Sequence, residues 1–424
     1  ISACLVGSEM CIRDRPNGGN IYTNTLNTIM KASNLKPERK NAWEIGLDFR
    51  TFKNRLNLDV TYYKENTKDQ IMEIATPWVS GISTQLINAG NIQNQGIELA
   101  LNTIPFQNED WEWGLDFTWT KNTSKIVELH PDAAEYISLA GQVNAYDYRI
   151  GSVAKVGGSY GMLMTDILPA RDDQGRVLLN YSDTRRAVYE RRSGVVQELG
   201  DMQPDFLGSM STSLRWKNLS LHVGLDMRIG GLVAMYSNRY GSNAGWTKTS
   251  LKYRDAASGG LTWTSQYAGG SNGITYEDGV ILEGVFAPGT SATGIDGKSH
   301  DISGMTHQQA IDAGIIEPTH ASAYHVFRNS WGEGVVNDDW VHELSYIALR
   351  DITLSYRMPK SIASKIGAKG LNLSLAARNV GYIYNSLPNN VHPESVRGNR
   401  SAEFRIRGYE PYIRNYTFTI NAEF

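Results

Sequence analysis

Tyr416-Thr417-Phe418-Thr419-Ile420-Asn421-Ala422-Glu423-Phe424 alternates at every step and ends on an aromatic ring. One face carries Tyr416, Phe418, Ile420, Ala422 and Phe424. The other carries Thr417, Thr419, Asn421 and Glu423. A strand of a transmembrane barrel needs this pattern, because its apolar face meets lipid and its polar face meets a wet lumen. An ordinary half-buried strand at a domain end has the same pattern, so the rest of the chain has to decide.

Six further stretches repeat the alternation. Trp43, Ile45, Leu47 and Phe49 alternate with Glu44, Gly46, Asp48 and Arg50. Leu56 to Tyr63, Ile97 to Asn102, Trp111 to Trp119, Leu219 to Ile229 and Leu371 to Ala376 do the same. Period two over such lengths predicts half-buried strands. Gly208–Trp216 and Glu343–Tyr356 are weaker members. In the latter Arg350 falls on the apolar phase, which predicts either a bulge or a snorkelling side chain.

The connections separate a barrel from a sandwich. Lys53-Asn54 is tight, 63–92 is long, Pro105–Asp110 is short and 125–206 is very long. Lys217-Asn218 is tight, 234–342 is very long, Met358–Gly370 is modest and 381–412 is long. Short and long links alternate, as they do where every second link lies on the same side of a membrane. A sandwich has no reason to keep that parity. Trp43, Trp111, Trp113 and Trp216 are read as lying near short turns, where an interfacial aromatic girdle belongs. The fold class is therefore all-β. About nine antiparallel strands form part of a large transmembrane barrel with long outer loops, an odd number for an even-stranded barrel and so the expectation of a fragment.

Composition agrees. The 424 residues carry a net charge of -3, which gives no support for a nucleic-acid partner. No apolar run approaches the ~20 residues of a membrane helix. The mean hydropathy of -0.36 is that of an ordinary soluble chain, but half of every barrel strand is polar. Residues 1–15 contain Cys4-Leu5-Val6-Gly7-Ser8-Glu9-Met10-Cys11-Ile12-Arg13-Asp14-Arg15. They lack the charged start, apolar centre and cleavage site of a signal peptide and read like a translated sequencing adaptor. The domain is accordingly placed at 16–424. Both cysteines lie in the excluded stretch; apart from a natural Cys4–Cys11 bridge as the alternative, thiol chemistry is not expected.

Leu35-Lys36-Pro37-Glu38-Arg39 before Trp43-Glu44-Ile45-Gly46-Leu47, and Asn94-Gln95-Gly96-Ile97-Glu98-Leu99, resemble elements of TonB-dependent outer-membrane receptors. Further stretches resemble the SusC-like (RagA-type) branch: Gln203-Pro204-Asp205-Phe206-Leu207-Gly208 through Trp216-Lys217-Asn218-Leu219-Ser220-Leu221, then Gly230-Gly231. Leu344 to Tyr356 followed by Pro359, Arg378-Asn379-Val380 and His392-Pro393-Glu394 complete the set. The resemblance covers roughly residues 20 to 424, and its strength lies in the order and spacing of the motifs. It implies the C-terminal part of a roughly 22-stranded, plugged barrel, with the plug and early strands not represented here. It implies location in the bacterial outer membrane and import of oligosaccharide or oligopeptide. The implied partners are a SusD-like lipoprotein lid, TonB, acting through a segment not represented, and the barrel-assembly machinery, for which Phe424 resembles the end signal. An iron-siderophore receptor of the same superfamily and a secreted all-β carbohydrate-binding module or adhesin are the rivals.

Catalytic residues, resident metals and cofactors are not expected. His300 and His307 lack a ligand partner set and read as solvated loop residues. Asp172-Asp173 and Asp338-Asp339 are candidates for a loop calcium ion, with turn chemistry the simpler account. Gly157-Gly158-Ser159-Tyr160-Gly161 is not followed by a helix pattern, which argues against a phosphate loop. Asp48, Asp59, Glu98, Asp116 and the set His222, Asp226 and Arg228 fall on polar strand faces and are expected to line the lumen. Within 234–342, Trp246, Trp263, Tyr267, Tyr324 and Trp331 are candidates for stacking on a ligand or for meeting the lid. Simple packing of the loop is the competing account for each ring. Ala310–Ile316 is predicted as a short helix with Thr306 as its cap.

Overall fold

The structure, a computed structural model, describes residues 29–31, 35–75, 84–130, 135–141, 143, 149–182, 184–267, 271–329, 340–396, 402–408 and 411–424. Residues 1–15, Trp331 and Asp338-Asp339 lie outside the described residues. One sheet dominates. Its nine long strands are β1 (Arg39–Thr51), β2 (Leu56–Ala75), β3 (Thr84–Gln107), β4 (Trp111–Leu129), β5 (Phe206–Trp216), β6 (Leu219–Ile229), β7 (Tyr346–Arg357), β8 (Gly370–Asn385) and β9 (Asn415–Glu423). They pair strictly in chain order, each antiparallel to the next. A short strand, Ile29–Lys31, adds in parallel to the start of β3.

Register lines the alternating residues up into rows. Phe106, Trp113, Leu214, Leu221, Leu354, Leu375 and Phe418 sit opposite one another across seven strands. This apolar face is open: Ile45 is 67% exposed and Phe418 63%. Water would not tolerate so large an apolar area, and lipid demands it. The opposite face carries Arg50, Asn57, Asn102, Asp116, Ser211, Gly224, Asp351, Arg378 and Asn415 in one row. Among the described residues no helix is long and apolar enough to cross a membrane.

The short links are built as the sequence expects. Phe52, Lys53 and Asn54 all take positive φ to reverse the chain between β1 and β2. The Asn108 side chain accepts from the amides of Asp110 (3.0 Å) and Trp111 (2.7 Å) and so closes the β3–β4 turn. Lys217 takes φ 52° between β5 and β6. Trp111 and Trp216 stack at this rim with centroids 5.7 Å apart.

Three expectations are corrected. Residues 63–92 are largely strand: β2 and β3 stay paired from Leu56–Thr103 to Ala75–Thr84. The alternation was lost to view because its phase inverts. Ile92 and Ile126 face the side opposite to Ile97 and Trp119 and pack with Met72, Ile87, Ile137 and Ala154. Above the lipid the outside is water and the inside is protein, so the apolar residues change sides. Trp43 is not near a short turn; it lies at the far end of β1 against Tyr62, 5.3 Å away. The loop helix runs His307–Asp312, starting three residues earlier than predicted, with Thr306 as its cap and Gln309 completing the capping box.

The buried core belongs to the long loops, which merge into one body. Leu179, Tyr181 and Ala187 from the β4–β5 link pack with Val280, Leu282, Phe286, Ile302 and Ile316 from the β6–β7 link. Val233, Met235 and Leu344 pack with Leu387, Val391 and Ile406 from the β8–β9 link. Phe404 of that last link joins Ala140, Ile150, Leu163, Ala234 and Tyr236, so all three links meet in one cluster.

Candidate functional site

The candidate site has two parts, a polar wall on the inner face of the sheet and the loop body above it. On the wall, the Asn102 side-chain amide donates to Asp116, which also accepts from the Ser211 hydroxyl at 3.1 Å. Tyr63 donates to Asn122 at 3.0 Å, and the Ser355 and Ser374 hydroxyls hydrogen-bond at 2.9 Å. Thr118 and Ser209 do likewise at 2.7 Å. These neutral and acidic groups knit neighbouring strands and leave a hydrogen-bonding surface for whatever fills the lumen.

His222, Asp226 and Arg228 share this face of β6. His222 Nε2 lies 3.3 Å from Asp351 Oδ1. Asp226 Oδ2 accepts from Arg350 Nε at 2.5 Å. Arg228 Nη2 donates to the Met202 carbonyl at 2.9 Å, tying β6 to the β4–β5 link. Sequence reasoning placed the three on one face; it did not supply their partners.

Arg350 takes the bulge and not the snorkelling position. Gly224 pairs with Asp351 and Leu225 with Leu349, so Arg350 is the extra residue and turns inward. Its guanidinium forks onto Glu394, Nη1 to Oε2 at 2.9 Å and Nη2 to Oε1 at 2.6 Å. Tyr382 donates to the same carboxylate at 2.8 Å. The hydrogen bonds from the Arg350 guanidinium hold the Glu394 carboxyl below the usual carboxylate range. Tyr346, Tyr382, His392 and Tyr412 cluster beside the pair with centroids 5.0 to 5.6 Å apart, edge to face except for the tilted Tyr382–Tyr412 contact. The one signal in the sequence was a charged residue on an apolar phase.

The loop candidates separate. Trp246 is 86% exposed on a fixed backbone, its amide bonded to the Gly241 carbonyl at 2.7 Å. Trp263 is half-buried and stacks on Tyr276 at 5.0 Å, with His320 at 5.1 Å. Tyr324 meets Tyr253 edge to face at 5.6 Å. Tyr267 is corrected: it is 5% exposed, shares a hydroxyl hydrogen bond with Tyr181 (2.9 Å), and is covered by Arg185 at 4.3 Å, so its ring packs the body and offers no stacking face. His307 is corrected too. It is fully buried, accepts from the Leu282 amide on Nδ1 at 3.0 Å, and burial pushes it down to about 4. His300 instead pairs with Asp296 at 2.8 Å in a hairpin. The Asp172 carboxylate is occupied by the amides of Gln174 and Arg176 and by the Arg176 side chain, which is turn chemistry. Phe424 is 72% exposed and its carbonyl accepts from Lys369 Nζ at 2.8 Å.

A meandering sheet with one lipid face, one wet face, short turns on one side and a folded loop body on the other defines an outer-membrane β-barrel protein. Residues 14–380 match the family described as TonB dependent receptor-like, beta-barrel, and the chain belongs to that family. It is 22% identical over 97% of its length to TonB-dependent receptor P3 of Formosa agariphila, covering 36% of that protein. It is 22% identical over 51% of its length to TonB-dependent receptor SusC of Bacteroides thetaiotaomicron, covering 22% of it. Over 91% of the chain it superposes on the RagAB peptide importer in its closed-closed state with a TM-score of 0.56 and 18% identity, covering 35% of that chain. The chain thus spans about a third of the length of the receptor P3 it matches. It is a TonB-dependent receptor barrel of the outer membrane, similar in sequence to SusC and in fold to the RagAB importer, and its family is one of transporters and receptors.

Proposed function

We propose that the chain is part of the barrel of a nutrient importer that takes oligosaccharides or oligopeptides across the outer membrane. A SusD-like lipoprotein covers its outer loops, and energy reaches it through TonB. The observation that carries this reading is the loop body. Three links with shared cores stand over a hydrogen-bonding wall and hold Trp246 out on a fixed backbone. A flat aromatic face of this kind stacks on a sugar ring or an apolar peptide side chain, and the body is large enough to seat a protein lid. The likeness to an importer described as carrying peptides supports the same reading.

The test uses the full-length gene in its host. Deleting it should abolish uptake of either a fluorescent oligosaccharide pool or a fluorescent oligopeptide pool, and removing TonB should have the same effect. Affinity purification of the receptor should bring down a lipoprotein. Loss of ferric-siderophore uptake with both nutrient pools imported normally would replace this reading with the iron-receptor one.

A further inference from the structure

Arg350 stands seven residues from Arg357, the short-turn end of β7, which is roughly 23 Å along the strand at ~3.3 Å per residue. It is only four residues from Tyr346, the outer end of β7, so it lies in the outer half of the wall, where Glu394 reaches it from the β8–β9 link. That link is otherwise rooted in the loop body, through Leu387, Val391 and Ile406 in one cluster and Phe404 in another. The bulge serves one visible purpose. Without the extra residue Arg350 would point into lipid; with it, both Arg350 and Asp351 face the lumen. Three guanidinium nitrogens then donate, and both Glu394 oxygens accept. The pair is partly sheltered, at 24% and 35% side-chain exposure, and forked charge-assisted bonds of this kind are stronger than ordinary surface pairs.

We propose that Arg350 is a latch, a positioning residue that holds the β8–β9 link folded down on the lumen wall and so fixes the loop body to the barrel. Glu394 is the captured group and Asp226 is the second carboxylate that the same cation neutralises. The arrangement is asymmetric. Losing Glu394 leaves Arg350 compensated by Asp226. Losing Arg350 leaves two carboxylates facing each other with no cation between them.

Amide hydrogen exchange on the full-length receptor in detergent tests the latch. In Arg350→Gln, residues 386–396 should exchange faster by on the order of tenfold, while β7 and β8 stay protected. Glu394→Gln should show a smaller change, and Arg350→Lys should fall between wild type and Arg350→Gln, because lysine keeps the charge and loses the fork. The double variant Arg350→Gln/Glu394→Gln should exchange more slowly than Arg350→Gln alone, since it removes the repulsion. A merely structural role for Arg350 gives no such rescue. Unchanged exchange at 386–396 in Arg350→Gln, equal acceleration throughout β7 and β8, or a double variant faster than both singles would overturn the proposal.

Discussion

Trp111 of β4 and Trp216 of β5 stack across adjacent strands at the short-turn rim, their ring planes 26° apart and centroids 5.7 Å apart. Lys217 adds its ammonium 5.9 Å from the Trp216 ring. The stack joins the β3–β4 and β5–β6 hairpins at the level where a bilayer gives way to water, which is where indoles are most favourable. A double-mutant cycle with Trp111→Phe and Trp216→Leu should show a coupling of about 0.5–1.5 kcal/mol in urea unfolding of the bilayer-inserted full-length protein. A coupling near zero would mean that each ring is held by lipid alone.

Val223 sits mid-strand on the apolar face, opposite Thr212 and Ile352, while Gly224 next to it faces Asp351. Val223→Arg should cost ~2–4 kcal/mol, the depth-dependent cost of a cation on a lipid face. Spin labels should separate the two positions in sign: oxygen should relax a label at 223 and an aqueous nickel complex a label at 224.

His307 lies at the centre of the loop body as a neutral ring, with Phe286 6.1 Å away and the Glu317 carbonyl beside Nε2. Its folded value is about 4 against 6.5 for an exposed ring, so the unfolded form binds the proton first. Stability is therefore fully present above pH 6.5 and falls as pH drops toward 4, below which no more is lost to this group. At roughly 1.4 kcal/mol per pH unit, that window amounts to about 3 kcal/mol. Exchange of residues 282–317 should accelerate on acidification through this range. His307→Asn, which keeps an acceptor for the Leu282 amide, should remove the pH dependence.

Trp246 and Tyr267 make opposite predictions. Trp246→Ala should leave thermal stability within about 0.5 kcal/mol, because almost nothing touches the ring. The triple variant Trp246→Ala/Trp263→Ala/Trp331→Ala should lower uptake or lid association with barrel assembly intact. Tyr267→Phe should do the reverse, costing about 1 kcal/mol of loop stability through the lost Tyr181 hydrogen bond with uptake unchanged.

Phe424 continues the apolar, lipid-facing phase of β9. Its deletion from the full-length protein should lower outer-membrane yield, read as loss of the heat-modifiable band on a gel. An unchanged band would show that Lys369 and the Gly370–Glu423 pairing are enough to seat β9.

The sequence by itself determined the strands that cross lipid, their short turns and which face is polar. A lipid-bounded strand has a fixed environment on each side, so alternation along Leu219–Ile229 or Tyr416–Phe424 needs no knowledge of neighbours. Tertiary structure decided everything above the membrane. The upper halves of β2, β3 and β4 were hidden because their apolar side chains face a loop core built from residues as far apart in the chain as Met72 and Tyr160. The same distance concealed the burial of His307 and Tyr267, since a loop residue's exposure depends on what folds over it. Arg350 lies between these cases. Its place on the apolar phase announced an irregularity, but only the fold could bring Asp226 and Glu394, from two other segments, to the one cation that satisfies both.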